Sequence, residues 1–226
     1  KSIAKKVGLP TLPGSSDNVS DYLEAKSIAE DIGYPIIIKS TNGGGGRGIK
    51  VVLREKDLKN NFFLAKKEAE LSFGSNKVYI EKYLSNPRHI EIQVLCDNQG
   101  NAIHLGEREC SIQRRNQKII EECPSPVISD TERKKICDIT IKAMKKIGYF
   151  NIGTVEYLYD NGKFFFMEMN TRLQVEHTVT EEVYDIDIVK EQINISSGEK
   201  ILLKQDQIKK KGHSIECRIN AENPIT

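Results

Sequence analysis

The sequence predicts an α+β protein made of two parts, a small α/β lobe that carries a glycine-rich loop and a larger lobe built on an antiparallel sheet. Three observations indicate this. Two short β-branched runs, residues 35–39 and 49–53, flank four consecutive glycines. Residues 90–96 alternate between apolar and polar side chains, as antiparallel strands with one solvated face do. From residue 168 to residue 176 every second side chain is ionisable or carries an amide, so an extended backbone places these groups on one side.

The composition is that of a soluble globular protein. The 226 residues are 38% hydrophobic and 29% charged, which is enough for a sizeable core, and a net charge of +2 gives no reason to expect attraction to nucleic acids or membranes. The five cysteines are odd in number and lack Cys-x-x-Cys spacing, and the four histidines are scattered. We therefore expect a reduced, cytoplasmic compartment, or a plastid or mitochondrion in a eukaryote, and no zinc site.

The small lobe is predicted to contain two helices and three strands. One helix follows a Ser20 cap and ends at Gly33, and the other covers residues 57–71. The predicted strands are residues 35–39, 49–53 and 78–83. The predicted division of the chain is residues 1–10 for the end of a linker helix, 11–83 for the small lobe and 84–226 for the larger lobe.

The larger lobe is predicted to combine antiparallel strands with single helices. Residues 90–96 and 102–108 form a strand pair with one wet face. Ser129 and Glu132 form a capping box that opens a helix ended by Gly148. Its predicted inward residues are Ile136, Ile139, Ala143 and Ile147. The remaining predicted elements are a hairpin over residues 153–168, a helix at about 187–197, and a strand at 213–220 with residues 213, 215, 217 and 219 on its apolar side.

The loop of the predicted hairpin decides whether Glu156 and Glu168 share a face. A two-residue loop, residues 161–162, turns the two carboxylates to opposite faces. A three-residue loop, residues 160–162, places them diagonally beside each other. Carboxylates that close repel unless a cation lies between them or one is protonated. We therefore predict the three-residue loop and a magnesium site at Glu156 and Glu168, with Asn170 as a further oxygen ligand.

The glycine-rich loop is predicted to close over phosphates. Residues 43–48 contain the pattern Gly-x-Gly-x-x-Gly, but no helix follows, which argues against a dinucleotide site. No Lys-Ser or Lys-Thr follows Gly48 either, which argues against a P-loop. Backbone N–H groups at a glycine hairpin tip can donate to phosphates unhindered by side chains, and Lys39 can place its ammonium there. The alternative is a surface loop with a solvated lysine.

Five longer stretches resemble biotin carboxylase, the ATP-grasp enzyme or domain that carboxylates biotin in acetyl-CoA carboxylase and its relatives. They are GGGGRG at 43–48, EKYLSNPRHIEIQV at 81–94, ERECSIQRRNQK at 107–118, EMNTRLQVEH at 168–177 and ECRINAENP at 216–224. The match runs in order along the whole chain, and generic ATP-grasp ligases do not share the last two stretches. The resemblance implies the ATP-grasp fold. It also implies a fragment without the family's amino-terminal lobe and carboxy-terminal end, with little or no activity alone.

The resemblance implies a role for each matched residue. ATP phosphates would be held by Lys39, Gly43, Gly44, Gly45 and Gly46, and adenine by Glu81, Lys82 and Leu84 at the hinge between lobes. The nucleotide site would also be lined by His89, Gln113 and Asn116. Two Mg²⁺ or Mn²⁺ ions would be bound by Glu156, Glu168 and Asn170. Bicarbonate would be bound by Arg172, Gln174 and Val175. The implied catalytic residues are Lys118 near the γ-phosphate, Arg172, Glu176 as general base and Arg218 for the biotin enolate.

The implied function is ATP-dependent carboxylation of biotin by bicarbonate through carboxyphosphate, the first half-reaction of acetyl-CoA carboxylase in fatty acid synthesis. The implied cofactors are ATP and the two metal ions, with biotin as a carrier-bound substrate. The implied partners are the biotin carboxyl carrier protein, the carboxyltransferase component and a second copy of the protein in a homodimer. Bicarbonate needs a base to remove its proton and a cation to hold it, and Glu176 and Arg172 lie on the same polar row.

Other interpretations stay open from the sequence. The chain can be another ATP-grasp ligase, of the carbamoyl-phosphate or carboxylate–amine type, or a non-catalytic ATP-binding module. The polar row can be a solvated strand, Lys118 can belong to a solvated basic run, and Arg218 can be an ordinary surface residue. Two positions also depart from the family, which usually has His at Asn116, in a nucleotide-contacting segment, and Pro at Thr178.

Overall fold

The computed structural model describes residues 2–42 and 48–221, and the chain divides into two compact units. The smaller unit is Leu12–Asn86, and the larger one combines Lys1–Thr11 with Pro87–Thr226. The helices of the described residues are α1 Ser2–Val7, α2 Tyr22–Ile32, α3 Leu58–Phe73, α4 Asp130–Ile147, α5 His177–Tyr184 and α6 Ile188–Ser196. Their strands are β1 Ile36–Ser40, β2 Ile49–Val52, β3 Val78–Lys82, β4 Arg88–Cys96, β5 Ala102–Arg114, β6 Gln117–Cys123, β7 Asn151–Asp160, β8 Lys163–Asn170 and β9 Ser214–Cys217.

The phosphate-binding prediction for the glycine loop falls on residues that are not described. Gly43, Gly44, Gly45 and Gly46 all lie outside the described residues. The strands on either side, β1 and β2, pair antiparallel as the sequence predicts. None of the helices in the described part of the chain combines the length and the apolar character needed to cross a membrane.

The smaller unit is a three-stranded antiparallel sheet in the order β2-β1-β3, with α2 and α3 packed on its apolar face. Helix α3 buries the four residues that its spacing predicts: Leu58, Phe62, Ala65 and Ala69. The predicted cap of α2 is wrong by one residue. The Asp21 carboxylate accepts hydrogen bonds from the backbone N–H groups of Leu23 and Glu24 at 2.8 and 3.0 Å, whereas Ser20 donates to the Glu24 side chain.

The larger unit is a six-stranded antiparallel sheet in the order β8-β7-β4-β5-β6-β9, with helices on both faces. Helices α1 and α4 pack on one face, around Val94 and Tyr157. Helices α5 and α6 cover part of the other face, around Leu105. The capping box predicted for α4 is confirmed, and Gly148 ends the helix in the left-handed conformation. This arrangement leaves the remaining part of the second face for polar side chains.

The predicted wet face of β4 is wrong. Residues 89–96 are all buried, because helices cover one end of that face and a cluster of paired charged side chains covers the other. The predicted inward position of Ile147 is also wrong, since this side chain lies at the last turn of α4 and is 39% exposed. Strand β6 and helix α5 were not predicted, and both carry or flank candidate site residues.

The predicted apolar side of strand 213–220 faces outward. Ile215 is 60% exposed and Ile219 is 90% exposed, whereas Glu216 and Arg218 are half-buried. The reason is that β9 lies at the sheet edge beside β6. Its polar side chains face buried charged groups such as Glu121 of β6. Only Ser214–Cys217 is strand, so the predicted element is also too long.

Gly106 marks a β-bulge in β5 at which a side chain cannot be accommodated. Ile92 pairs with Glu107 and Val94 with His104, so two residues of β5 oppose one of β4. Gly106 has a φ of +64°, and a Cβ atom there would lie 1.9 Å from the Tyr184 hydroxyl oxygen. The Tyr184 ring is only 9% exposed and cannot move aside freely.

We expect Gly106→Ala to lower the free energy of unfolding by about 2–4 kcal/mol, because the backbone strain and the overlap with Tyr184 add. Urea unfolding measures this. Gly100→Ala is the matched control, since Gly100 also has a positive φ (+86°) but no atom within 4 Å of the added Cβ. Equal losses in the two variants would show that the contact with Tyr184 costs nothing.

Candidate active site

The hairpin of β7 and β8 has a shorter loop than predicted. Asp160 pairs with Lys163, so the loop is Asn161 and Gly162. Both residues have positive φ, 47° and 77°, as the two-residue type I′ turn requires. The three-residue loop is therefore wrong, because an Asn-Gly pair satisfies the tight turn without a third residue.

A bulge in β8 nevertheless brings the two predicted metal carboxylates together. Tyr157 pairs with Phe166, but the next pair is Glu156 with Glu168, so Met167 is an extra residue in β8. A one-residue shift of register exchanges the faces of a strand, which cancels the effect of the shorter loop. Glu156 and Glu168 thus lie directly opposite each other, closer in register than the diagonal placement predicted.

Lys118 lies at the centre of the buried charged cluster. The other ionisable members of this cluster are His89, Glu91, Arg108, Glu121, Glu156, Glu176 and Arg218. Its ammonium donates to Glu156 at 3.0 Å, to Glu176 at 2.6 Å and to Glu91. The Lys118 side chain is 14% exposed, so it does not belong to a solvated basic run. Burial acts to lower the pKa of Lys118, but Glu91 and Glu156 outweigh it and raise the pKa above its ordinary value. One ammonium therefore links three carboxylates from different segments.

Glu156 is held as a carboxylate by several donors. Its Oε1 accepts hydrogen bonds from the side-chain amides of Asn170 and Gln174 at 2.7 and 2.9 Å, besides the one from Lys118. Burial acts to raise the pKa of Glu156, but the contacts with His89 and Lys118 lower it to about 2. The predicted metal ligands Glu156 and Asn170 are thus brought into contact, and both belong to the cluster.

His89 lies between two of the carboxylates. Its Nε2 is 3.2 Å from Glu91 and 3.1 Å from Glu156 but lines up with neither for a regular hydrogen bond. These carboxylates raise the pKa of His89 to about 9 although burial opposes them. The Gln113 amide group donates to the Cys110 carbonyl at 2.9 Å, and its nitrogen lies 3.1 Å from Nδ1 of His89.

Arg108 is a fully buried member of the cluster. Its guanidinium lies 3.2 Å from Glu91, donates to Gln93 at 2.7 Å, and donates to Thr154, Thr180 and Gln174 at 3.1 Å each. These partners come from β4, β7, α5 and the segment that precedes α5. Arg108 therefore ties the segment that carries Glu176 to the centre of the sheet.

The polar row predicted for residues 168–176 is not one extended strand. Strand β8 ends at Asn170, and α5 begins at His177, so residues 171–176 are irregular. Gln174 and Glu176 are buried at 5% and 2% exposure, while Arg172 and Val175 are exposed. Arg172 donates to the Leu173 carbonyl at 3.1 Å and forms no hydrogen bond or ion pair with the described members of the cluster. Of the residues predicted to bind bicarbonate or to act as the base, Gln174 and Glu176 are therefore part of the cluster. Arg172 and Val175 are exposed to solvent.

Arg218 closes the cluster, just beyond the end of β9. Its guanidinium lies 2.8 Å from Oε2 of Glu176 and donates to Oε1 of Glu121 at 2.7 Å. Its side chain is 27% exposed, and it is paired with two buried carboxylates, so it is not an ordinary surface arginine. Glu176 in turn bridges Arg218 and Lys118 through its two oxygens. The predicted base and both of these predicted cations are therefore in direct contact.

In the smaller unit, Lys39 and Glu81 lie on the sheet face that the helices leave uncovered. Lys39 and Glu81 form an ion pair of 2.9 Å. The ammonium of Lys82 donates to the carbonyls of Gly33 and Tyr34 at 3.0 Å each, beyond the end of α2. Leu84, just after β3, is half-buried. Within this unit, Lys39 and Glu81 are brought together, whereas Lys82 points to the backbone of its own unit.

Both departures from the family have structural consequences. Asn116 and Arg115 occupy the turn between β5 and β6 with φ of 64° and 53°, a conformation that Asn adopts at low cost. Asn116 is exposed and lies at the hairpin tip. The Thr178 hydroxyl donates to the Glu216 carboxylate, which a proline cannot do. Thr178 therefore adds a link between α5, next to Glu176, and β9.

Sequence reasoning missed three members of the cluster: Glu91, Arg108 and Glu121. Glu91 and Gln93 lie on the polar side of the predicted strand 90–96, and alternation alone indicates a solvated face there. Arg108 stands between two glutamates in the stretch ERECSIQRRNQK, whose charges give no sign of burial. Glu121 lies on β6, which was not predicted. The sequence feature that indicates such a buried pair is the presence of opposite charges on adjacent strands, here Glu91 on β4 and Arg108 on β5.

The donor set at the hairpin fits a hard divalent cation. Glu156 and Glu168 lie opposite each other, Asn170 is two residues further, and all three supply oxygen atoms of the kind that Mg²⁺ prefers. Glu168 is exposed, so the place beside it is open to a ligand, while Glu156 is already ionised, since its pKa is lowered to about 2. Asn170 and Lys118 would have to release Glu156 in part for an ion to bind there.

Comparisons with known proteins agree with this geometry. Residues 1–204 match the family model described as carbamoyl-phosphate synthase L chain, ATP binding domain. The chain is 52% identical over 227 residues to biotin carboxylase of Pseudomonas aeruginosa and 54% identical over 223 residues to biotin carboxylase of Haemophilus influenzae. These alignments cover 100% and 98% of this chain but 51% and 50% of the relatives. The chain thus spans about half the length of the curated relatives it matches.

A solved structure gives the same result for the fold. The biotin carboxylase domain dimer of Hydrogenobacter thermophilus 2-oxoglutarate carboxylase, in complex with MgADP, ADP and bicarbonate, matches with a TM-score of 0.91 and 50% identity, over 100% of this chain and 50% of that one. The predicted ATP-grasp fold and the resemblance to biotin carboxylase are confirmed. This chain therefore belongs to the family of the carbamoyl-phosphate synthase L chain ATP-binding domain, and it is similar to the biotin carboxylases from end to end.

Proposed function

We propose that this chain carries the site at which ATP phosphorylates bicarbonate and at which the resulting carboxyphosphate supplies carbon dioxide to biotin. The observation that carries the proposal is the contact of Glu176 with both Lys118 and Arg218. A base held between two fixed cations is suited to a small anionic substrate whose proton must be removed and whose charge must be held. The cluster is largely shielded from water, which strengthens these interactions.

Glu176 is the proposed general base. It removes the bicarbonate proton, and a bicarbonate oxygen then attacks the γ-phosphorus of ATP while the bond to ADP breaks. Lys118 neutralises charge on the transferred phosphoryl group and on bicarbonate, which is the main requirement of phosphoryl transfer. Arg172 and Gln174, with the Val175 backbone, are proposed to hold bicarbonate. Arg172 is exposed and can turn toward the site, since its hydrogen bond is to a neighbouring carbonyl.

Arg218 is proposed to stabilise the biotin enolate. Carboxyphosphate breaks down to carbon dioxide and phosphate, and phosphate takes the proton from N1 of biotin. The negative charge then lies on the ureido oxygen, where a fixed guanidinium lowers the barrier for attack of N1 on carbon dioxide. The pairing of Arg218 with Glu176 places this cation beside the proposed base.

We propose ATP-binding and metal-binding residues in each of the two units. In the smaller unit, Lys39 and the glycines 43–46 would hold phosphates, and Glu81, Lys82 and Leu84 would hold adenine. In the larger unit, His89 and Gln113 would contact the remaining polar groups of ATP, with Asn116 nearby. Glu156, Glu168 and Asn170 would hold two Mg²⁺ or Mn²⁺ ions, whose chemistry is to neutralise phosphate charge when they are bound. The Lys39–Glu81 ion pair supports a phosphate role, because phosphate can replace the carboxylate as the partner of the ammonium.

The partners are proposals of the same kind. Biotin on a biotin carboxyl carrier protein is the proposed substrate, a carboxyltransferase component the proposed consumer of carboxybiotin, and a homodimer the proposed assembly. Acetyl-CoA carboxylase and fatty acid synthesis are the proposed setting. The resemblance of the stretches at 168–177 and 216–224 supports biotin as the substrate, since generic ATP-grasp ligases do not share them.

A carbamoyl-phosphate type of ligase is the second candidate. The description of the matched family model favours it. Both reactions begin with phosphorylation of bicarbonate, so the Glu176 and Lys118 cluster serves either one. They differ in the acceptor, because carbamoyl-phosphate formation uses ammonia and has no enolate to stabilise. The position of Arg218 beside the base supports biotin as the acceptor.

The test is turnover of the intact protein with MgATP, bicarbonate and free biotin. We expect ATP hydrolysis that requires bicarbonate, is stimulated by biotin and yields labelled carboxybiotin from labelled bicarbonate. Hydrolysis that bicarbonate supports and biotin does not stimulate would favour the second candidate. Binding of MgATP without any turnover would indicate a non-catalytic ATP-binding module and overturn the proposal.

We expect Glu168→Gln to raise the Mg²⁺ concentration that gives half-maximal activity by about tenfold or more, because an amide is a weaker ligand than a carboxylate. The measurement is a Mg²⁺ titration at fixed ATP. Asp160→Asn is the matched control, since Asp160 lies at the turn end of the same hairpin and the substitution removes the same charge. An unchanged Mg²⁺ requirement in Glu168→Gln would remove Glu168 from the metal site.

A further inference from the structure

Glu121 is a buried carboxylate that the proposed reaction does not use. It lies on β6 with no exposed surface, and its Oε1 is 2.7 Å from Nε and 2.6 Å from an Nη atom of Arg218. Its second oxygen, Oε2, has no hydrogen-bond partner in the described part of the chain. The backbone N–H of Arg218 also donates to the Ile119 carbonyl of β6 at 3.0 Å. Strand β6 therefore holds Arg218 by both its backbone and its side chain.

The guanidinium of Arg218 is shared by two carboxylates with different tasks. Glu176 contacts it at 2.8 Å, but Glu176 is also the proposed base and must turn to bicarbonate. Glu121 has Arg218 as its hydrogen-bonding partner among the described residues and is more deeply enclosed, within the sheet. We propose that Glu121 is a positioning residue, which keeps Arg218 at the biotin site when Glu176 releases it. This inference rests on the proposed function.

The surroundings of Glu121 support this role. Glu216 is its cross-strand partner on β9, and a second carboxylate there could compete for the same guanidinium. The Thr178 hydroxyl binds Glu216 instead, which leaves Arg218 to Glu121 and Glu176. Burial raises the pKa of Glu121 above its ordinary value, and the contact with Arg218 opposes this shift.

The alternative is a purely structural ion pair. Removal of such a pair would lower stability and reduce all activities together. A positioning role for Glu121 affects the biotin step more than the bicarbonate step, because Arg218 is proposed to act on the enolate. Removal of a positioning residue should therefore lower biotin carboxylation more than bicarbonate-dependent ATP hydrolysis, whereas removal of a purely structural ion pair should lower both rates equally.

The test is Glu121→Gln in the intact protein, with Glu122→Gln as the matched control. Glu122 is the next residue of β6, points to the other face and pairs with His213 at 3.1 Å. We expect Glu121→Gln to lower kcat/KM for biotin by about tenfold or more and by at least about fivefold more than it lowers bicarbonate-dependent ATP hydrolysis without biotin. Equal losses in both reactions, or a loss matched by Glu122→Gln, would overturn the proposal.

A second measurement does not depend on catalysis. In a double-mutant cycle on the urea unfolding midpoint, Glu121→Gln and Arg218→Met should be non-additive, because each removes the same contact. Strict additivity would show that Glu121 does not hold Arg218, even if the protein folds and turns over. If the wild-type protein fails to carboxylate biotin while the cycle shows coupling, the proposed function fails and the anchoring of Arg218 by Glu121 stands.

Discussion

Arg108→Met is expected to lower the free energy of unfolding by about 3–5 kcal/mol, the cost of leaving a buried charge without its partner. Arg108 and Glu91 are both fully buried and lie 3.2 Å apart. Glu91 would then lose its arginine partner, and the oxygens of Gln93 and Gln174 would lose the donor they share. Equilibrium urea unfolding, followed by circular dichroism, measures the change.

Arg115→Met is the control for this substitution, because Arg115 is exposed in the turn between β5 and β6. Surface changes of this kind shift stability by about 0.5 kcal/mol or less. If Arg108→Met does not fold, Glu91→Gln and the double variant Glu91→Gln/Arg108→Met still test the argument. The double variant should be more stable than the sum of the single losses allows, since the unpaired carboxylate is gone. A loss for Arg108→Met no larger than that of the control would contradict the assignment.

The helices and most strands follow from local pattern. The spacing of Leu58, Phe62, Ala65 and Ala69 fixes the inward face of α3, and the capping box at Ser129 fixes the start of α4. These features depend only on residues a few positions apart. The same is true of the Asn-Gly turn, where local pattern indicates two residues but the electrostatic argument about the metal carboxylates indicates three.

The bulge at Met167 is the kind of feature that local pattern does not reveal. It depends on how the side chains of β7 and β8 fit once the sheet has formed, as in the packing of Tyr157 against Phe166. Glu156 and Glu168 share a face as predicted, but a bulge in β8 brings them together and not a three-residue loop. Chemistry can therefore fix which residues meet before it can fix the backbone that brings them together.

Local pattern also does not show whether charged side chains are buried. The alternation of residues 90–96 is the same whether the polar side meets water or meets a buried arginine. Arg108 comes from the neighbouring strand and Lys118 from the strand beyond it, so the pairing is not visible within either strand. The family resemblance identified Lys118, Glu176 and Arg218, but the contacts among them required the register of three strands and the irregular segment at 171–176.

Glu176→Gln is expected to lower the rate of biotin carboxylation by about 10²- to 10⁴-fold, the usual contribution of a general base. The amide keeps the shape of the side chain, which is almost fully buried, but it cannot accept the bicarbonate proton. Bicarbonate-dependent ATP hydrolysis should fall by a similar factor, because both reactions begin with the same proton transfer. Steady-state kinetics of the intact protein at saturating MgATP measure both rates.

Glu182→Gln is the matched control, since Glu182 is exposed on α5, six residues away, and the substitution removes the same charge. It should keep both rates. Binding of MgATP to Glu176→Gln, measured by calorimetry, separates a catalytic loss from a collapse of the site. A variant that binds MgATP but hydrolyses it at the wild-type rate with bicarbonate would remove Glu176 from the base role. The contact of Glu176 with Lys118 and Arg218 would then be only a means of holding the two cations in place.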